Sequence, residues 1–411
     1  MALAKALMRW QNVSIKKISD AGLIQTMTSQ RVITVGKLGS AVTIAYASTY
    51  YLLAILANDI AQNLGLASST VFLAFSVALL VSAALGPMAG RLVDHYGGRM
   101  VLTSTSIIFA AGLSSLSAVQ GPVSLFAAWM LIGVAMSSGF YEGAFSALVR
   151  IYGGNARSAI TGITLIAGFA STIGWPLTAW LNIEFGWRGA CLAWAAIHLL
   201  IAMPLNLWLP SASVAHSAST LTPSPPQAVK VTAAPSTSWL LALVFGVTWF
   251  ISTSMAAHLP QLLLANGVGL HSAIAFASLV GPAQVAGRLL EYSLLHNISP
   301  LVSARIASTA HAVGALIFLS VGVPAGVVFT VLHGAGNGVM TITNGTLPLL
   351  FFGPGGYGAR QGKLMMPARF AQALAPYVFG LAIERFGASA LWFSIALGLT
   401  AFVALLVLRE K

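Results

Sequence analysis

The chain has 411 residues, 57% of them hydrophobic and only 7% charged, with a formal net charge of +12 at pH 7. Soluble domains carry roughly 25% charged residues, so a chain this poor in charge cannot cover a water-facing surface and must use lipid as its solvent. Excess base in a soluble protein would point to nucleic acid. Here it is spread over short segments between apolar runs, which excludes that partner. Residues 1–35 carry Lys5, Arg9, Lys16 and Lys17 without an uninterrupted apolar core, and so read as a basic tail, not a cleavable signal peptide. Apolar runs of about 20 residues, the length that crosses a bilayer, fall near 36–57, 70–90, 99–119, 123–148, 158–181 and 189–208. Six more fall near 238–258, 272–291, 303–322, 325–346, 364–383 and 388–408.

Between the two sets lies a Ser-, Thr-, Pro- and Ala-rich stretch that cannot support a packed core. The expectation is therefore an all-α membrane protein of twelve transmembrane helices. Two six-helix bundles, 36–208 and 238–408, are joined by a flexible linker at 209–237. With both termini cytoplasmic, 18 of the 20 basic residues fall on the inner side, and Arg188 and Arg385 stay outside. The single cysteine, Cys191, sits in an apolar stretch and reads as a small core residue.

The two halves repeat one another. Ala89-Gly90-Arg91 ends the second span and Ala286-Gly287-Arg288 ends the eighth; Leu181-Asn182-Ile183-Glu184 ends the fifth and Leu381-Ala382-Ile383-Glu384 the eleventh. Parallel repeats of this kind place a binding site near the midplane between the halves.

After the second span stands Gly90-Arg91-Leu92-Val93-Asp94-His95-Tyr96-Gly97-Gly98-Arg99. It resembles the signature loop of the major facilitator superfamily: a glycine, an acid four residues on, a second glycine three later, then a base. Gly90 allows close helix approach and Gly97 a tight turn. Asp94 can accept hydrogen bonds from Arg99 or from a neighbouring helix N-terminus. The resemblance implies a cytoplasmic latch of Gly90, Arg91, Asp94, Gly97 and Arg99, with Arg288 and Glu291 as a degenerate counterpart. It further implies secondary transport by rocking of the two halves, with protons as the coupling ion, a small-molecule substrate and no cofactor. A single chain would work as a monomer in a bacterial inner membrane. Export of a drug, metalloid or organic anion is slightly favoured over uptake of an organic acid.

Two features depart from the family's antiporters. Ala135-Met136-Ser137-Ser138-Gly139 has alanine where drug–proton antiporters carry arginine, and Trp175 interrupts the expected Gly-Pro pair between Gly174 and Pro176.

The resemblance implies that the first, fourth, seventh and tenth spans line the cavity. In the tenth, His333, Asn337, Thr341 and Asn344 form one polar stripe, with Gly334, Gly336 and Gly338 giving thin sides or a hinge. In the fourth, Glu142 is an acid deep in an apolar span, with Tyr141 beside it and Ser138 one turn away. It reads as a proton carrier, a cation ligand or the partner of a base such as Arg369 or Arg150. Tyr46 and Tyr50 share a face of the first span, and Trp249 and Ser252 lie in the seventh. Arg369 is expected to snorkel to the cytoplasmic face. Gly353-Pro354-Gly355-Gly356-Tyr357-Gly358 lacks the spacing of a phosphate-binding loop, and no metal cluster or nucleophile motif appears. The rival classes are a membrane-embedded enzyme using Glu142 and His333, or a sensor built on a transporter fold.

Overall fold

The computed structural model describes residues 29–210, 235–295 and 298–410. Most of the expected tail and of the linker lies outside them. No strand occurs among the described residues. In chain order the helices are α1 (Ser29–Leu64), α2 (Ser68–Tyr96), α3 (Gly98–Ser117), α4 (Pro122–Gly139), α5 (Tyr141–Tyr152), α6 (Arg157–Ala167) and α7 (Ala170–Ile197). They continue as α8 (Pro235–Ala265), α9 (Leu270–Ser278), α10 (Val280–Leu290), α11 (Pro300–Val321), α12 (Gly326–Phe352), α13 (Tyr357–Phe386) and α14 (Ala390–Val407).

Nine helical runs among the described residues are long and apolar enough to cross a bilayer, against twelve expected. One of the nine, Pro122–Leu207, is 86 residues long and covers the expected fourth, fifth and sixth spans. The chain leaves helical geometry inside it at Gly153 (φ 55°) and Gly186 (φ 67°), a left-handed region that glycine enters without steric cost. The expected eleventh span falls in α13, a 30-residue helix that is not among the nine.

Several spans are interrupted. Phe140 is extended (φ −93°, ψ −167°) and divides the fourth span into α4 and α5. The fifth breaks at Gly168 and Phe169, and the eighth at Leu279. Periodicity reads through such breaks because one residue of altered backbone leaves the apolar run intact. Broken helices at membrane depth are tolerated where they are buried in protein or line a cavity.

The apolar cores follow the repeat. One large cluster is drawn almost wholly from α1–α7, and two smaller ones from α8–α14. Lipid supplies no hydrophobic drive between helices, so small residues set the close contacts. On α12, Gly334, Gly336 and Gly338 lie against the backbones of Val280, Ala307 and Gln284, where a methyl would collide. They are packing surfaces of an unbroken helix rather than the hinge considered from sequence.

The ends of α1, α2, α10 and α14 near Arg31, Asp94, Glu291 and Leu408 share one face of the bundle, called here the basic face. There Lys37 Nζ donates to the Trp208 carbonyl (3.0 Å), Arg150 caps the Val93 and His95 carbonyls (3.2 and 3.3 Å) and Arg305 reaches Leu408 (2.7 Å). The halves meet through α2 on α13, α5 on α13, and α6 on α10 and α12.

Candidate functional site

The sides of α2 and α13 that meet are made of glycine. Gly86 lies against Gly362 and Gly90 against Gly358, so close that a Cβ on Gly90 would fall on the Gly358 carbonyl. At the end of this contact Asp94 accepts from the Gly358 and Ala359 amides (2.9 and 2.8 Å), the unsatisfied donors at the start of α13. Arg99 is not its partner: Arg91 and Arg99 are both exposed, and Gly97 (φ 88°) makes the turn between α2 and α3. The first turn of α13, after the glycine-rich loop, thus presents its amides to an anion, and that anion is the Asp94 carboxylate.

Glu291 stands in the repeat where Asp94 does and holds the start of α6. Arg157 donates to Glu291 Oε1 (2.8 Å) and to the Ile298 and Leu295 carbonyls (2.6 and 3.2 Å). Arg288 takes no part in this clasp. It was expected to pair with Glu291 in a degenerate latch. Instead it is buried and lines the central cavity, because it lies one turn deeper and its guanidinium extends over Gly168, which has no side chain to obstruct it.

That cavity, of about 460 Å³, lies between the halves. Tyr46, Tyr50 and Tyr141 line one side, and Trp249, Ser252, His333, Asn337 and Thr341 the other. Leu259, Pro260, Ala277 and Ser278 carry its lining toward the face opposite the basic one. The residues expected there but placed elsewhere are Ser138 and Glu142. Ser138 shares a hydrogen bond with Thr105 (2.6 Å) and lines a separate groove formed by α2, α3 and α4 alone. It stands on the far side of the break at Phe140, so the helical turn that would put it beside Glu142 does not exist.

Glu142 opens α5, just below the cavity, and Arg369 Nη2 donates to both its oxygens (2.8 and 2.9 Å). Arg369 does not snorkel: it is 4% exposed, with the rings of Phe140 and Trp249 5.4 and 5.5 Å from its guanidinium carbon. Its Nη1 donates to Gln372 Oε1 (2.9 Å), and Gln372 Nε2 donates to the Tyr50 hydroxyl (3.0 Å). This chain of four side chains passes twice between the halves. Tyr46 stacks on Phe140 at 4.1 Å and packs on Tyr141 at 5.0 Å, fixing the aromatic wall around it. The stretch Tyr46–Tyr50 is a π-helical segment of α1, a distortion that swings both tyrosines inward.

In the second half, His333 Nδ1 meets His311 Nδ1 (3.0 Å), and His311 Nε2 meets Ser394 Oγ (3.0 Å). One proton between the two Nδ1 atoms satisfies both. Asn344 turns off the stripe: with its amide oxygen toward Trp249, it accepts from Nε1 at 3.0 Å. Among the described residues no group of three or more His, Cys, Asp or Glu could hold a metal ion.

Sequence reasoning missed Arg288 as a cavity residue, and also Trp175, Gln372 and His311. Gln372 carried a signal, since Arg369 and Gln372 are one helical turn apart in an otherwise apolar span. The others carried none beyond being polar or aromatic in apolar surroundings.

The sequence profile of the Major Facilitator Superfamily matches residues 38–328. An uncharacterized 38 kDa protein in a 23S RNA operon of Thermoproteus tenax is 28% identical over 356 residues, 86% of this chain and 90% of that protein. The crystal structure of the human organic anion transporter MFSD10 (TETRAN) superposes with a TM-score of 0.65 at 18% identity, covering 91% of this chain and 99% of that one. The transporter FucP in the outward conformation gives 0.68 at 12% identity, covering 93% and 100%. With its match over most of the chain, its helical fold and its cavity between two repeated halves, this protein belongs to the major facilitator superfamily and is a multi-pass membrane transporter, not an enzyme.

Proposed function

We propose that the chain is a proton-coupled secondary transporter working by alternating access, with Glu142 as the residue that takes up the proton. The observation that carries this is the ion pair between Glu142 and Arg369, which belong to different halves and lie between the cavity and the glycine contact. Ionised, Glu142 draws α13 toward α5 and holds the basic face shut. Protonated, it no longer attracts Arg369 as an ion, and Arg369 is left without its counter-charge between the two halves. Substrate in the cavity and proton on Glu142 thus act on the same rocking motion.

By the positive-inside rule the basic face is cytoplasmic, so this state is closed to the cytoplasm and its cavity faces outward. One chain supplies both walls, so a monomer suffices. A bacterial inner membrane, with both termini in the cytoplasm, fits this orientation.

The test uses purified protein in proteoliposomes with an imposed pH gradient, against a library of organic anions, amphipathic cations and arsenite. Gradient-driven accumulation is expected for at least one class, and Glu142→Gln is expected to abolish it while leaving exchange of solute across the membrane. Gradient-driven transport unchanged in Glu142→Gln would refute the assignment.

A further inference from the structure

Arg288 is 5% exposed, yet no hydrogen bond or ion pair to its guanidinium is found among the described residues, and its buried Nε has no partner. An isolated buried cation is costly, and a site that keeps one in place has something to put against it. Neither nearby acid pairs with it: Glu291, one turn along the helix, gives Oε1 to Arg157 while its buried Oε2 has no hydrogen-bond partner, and Glu142 gives both oxygens to Arg369. The described residues lining the cavity include no aspartate or glutamate. The wall therefore carries one uncompensated positive charge. Gly168 is what admits it: a methyl there would occupy the position of Arg288 Nη1.

The rest of the cavity defines the body that accompanies the charge. Tyr51 and Trp175 are T-shaped at 5.8 Å, and Tyr50 and Tyr51 at 5.4 Å. Tyr141 lines the same space, and Thr172 and Gln284 add groups able to donate hydrogen bonds. Its volume of about 460 Å³ lies within the range of pockets that enclose small organic ligands. A cation with a planar fork of donors beside aromatic faces matches a carboxylate or sulfonate on a flat apolar body. A cationic drug would meet like charge, and a neutral polyol would leave the arginine unpaired.

We infer that the transported solute is a small organic anion, bound through Arg288 at the Gly168 break, with its apolar or aromatic part between Tyr51, Trp175 and Tyr141. This rests on the reading of the cavity as the transport site, and names its substrate class. Within the classes weighed from the sequence, it favours an organic acid over a drug cation or a metalloid.

Binding is measured apart from transport, on the full chain in nanodiscs, by quenching of tryptophan fluorescence, since Trp175 and Trp249 line the cavity. The probes are benzoate, 2-naphthoate and benzenesulfonate, each against its neutral amide, with benzylamine as the cation. At least one anion is expected to bind tenfold or more tightly than its amide. Arg288→Gln is expected to lower that affinity at least tenfold, and Arg288→Lys to restore part of it, with unfolding temperatures reporting that each variant is folded. Anions binding no better than their amides, tighter binding of benzylamine, or affinity within twofold of wild type in folded Arg288→Gln would each overturn the inference. Those results leave the transport reading standing. That reading fails separately, if no solute class accumulates in the liposome experiment or if Glu142→Gln leaves accumulation unchanged.

Discussion

One nitrogen of Arg369 lies 2.8 and 2.9 Å from the two oxygens of Glu142, and the two residues come from opposite halves of the repeat. A buried pair is a modest source of stability when intact, but removing one partner strands the other at a cost of about 3–5 kcal/mol. Glu142→Gln and Arg369→Gln should each lower the unfolding temperature in detergent. The double variant should recover part of the loss, because neither charge is then left alone. Additive losses in the double variant would mean that the two side chains do not act as a pair.

Asp94 takes two amide hydrogen bonds from the first turn of α13, and its ionised form makes them strong. Asp94→Asn keeps the shape but removes the charge and one acceptor oxygen. A loss of about 2 kcal/mol would shift the balance between closed and open basic face about 30-fold, by the usual factor of ten per 1.4 kcal/mol. A cysteine placed at Met365, which is 3% exposed beside the ion pair, would report it through faster labelling from the basic side. Labelling at the wild-type rate would show that Asp94 does not hold this face shut. Cys191 is fully buried and contributes little background.

A methyl at Gly90 has no room beneath the Gly358 carbonyl, whereas Gly36 has open space around it. Gly90→Ala should therefore prevent closure of the basic face and raise labelling of the same reporter as strongly as Asp94→Asn or more. Gly36→Ala, a helical glycine with nothing nearby, should be neutral or slightly stabilising. Equal behaviour of the two variants would sink the close-contact argument.

His311 bridges α11 to α12 and α14 through His333 and Ser394. His311→Ala strands His333 Nδ1 in a buried site, at about 1–3 kcal/mol, while Ser394 keeps its donation to the Leu391 carbonyl (2.8 Å). The second half should unfold at a lower temperature, with Ser394→Ala showing a smaller effect because the His311–His333 bond is kept. A His311→Ala protein as stable as wild type would indicate that water replaces the imidazole.

The architecture was legible because hydropathy and positive charge are properties of single segments. The duplicated Ala-Gly-Arg signature likewise pointed to paired latches, and it marks Asp94 and Glu291 as equivalent. What it could not convey is which groups meet across the repeat. Arg369 read in two ways, as a residue that snorkels and as a partner for Glu142; the structure has the second, with Glu142 lying 227 positions away. Ser138 was assigned to the cavity by helical spacing, and the extended backbone at Phe140 invalidates that spacing. Arg288 was read with Arg91 because they share a motif. Yet Arg91 ends up exposed and Arg288 buried, since only the latter faces a glycine in the opposite half.

At the Gly86–Gly362 and Gly90–Gly358 contacts, α2 and α13 meet backbone to backbone. Side chains at an interface can swing through intermediate rotamers and let it loosen by degrees; backbone against backbone has no such gradation. These helices either touch along this line or stand apart. A carrier that opens one end before the other has sealed would dissipate the gradient driving it. In the cycle proposed for this chain, a seal without adjustable parts would guard against that leak.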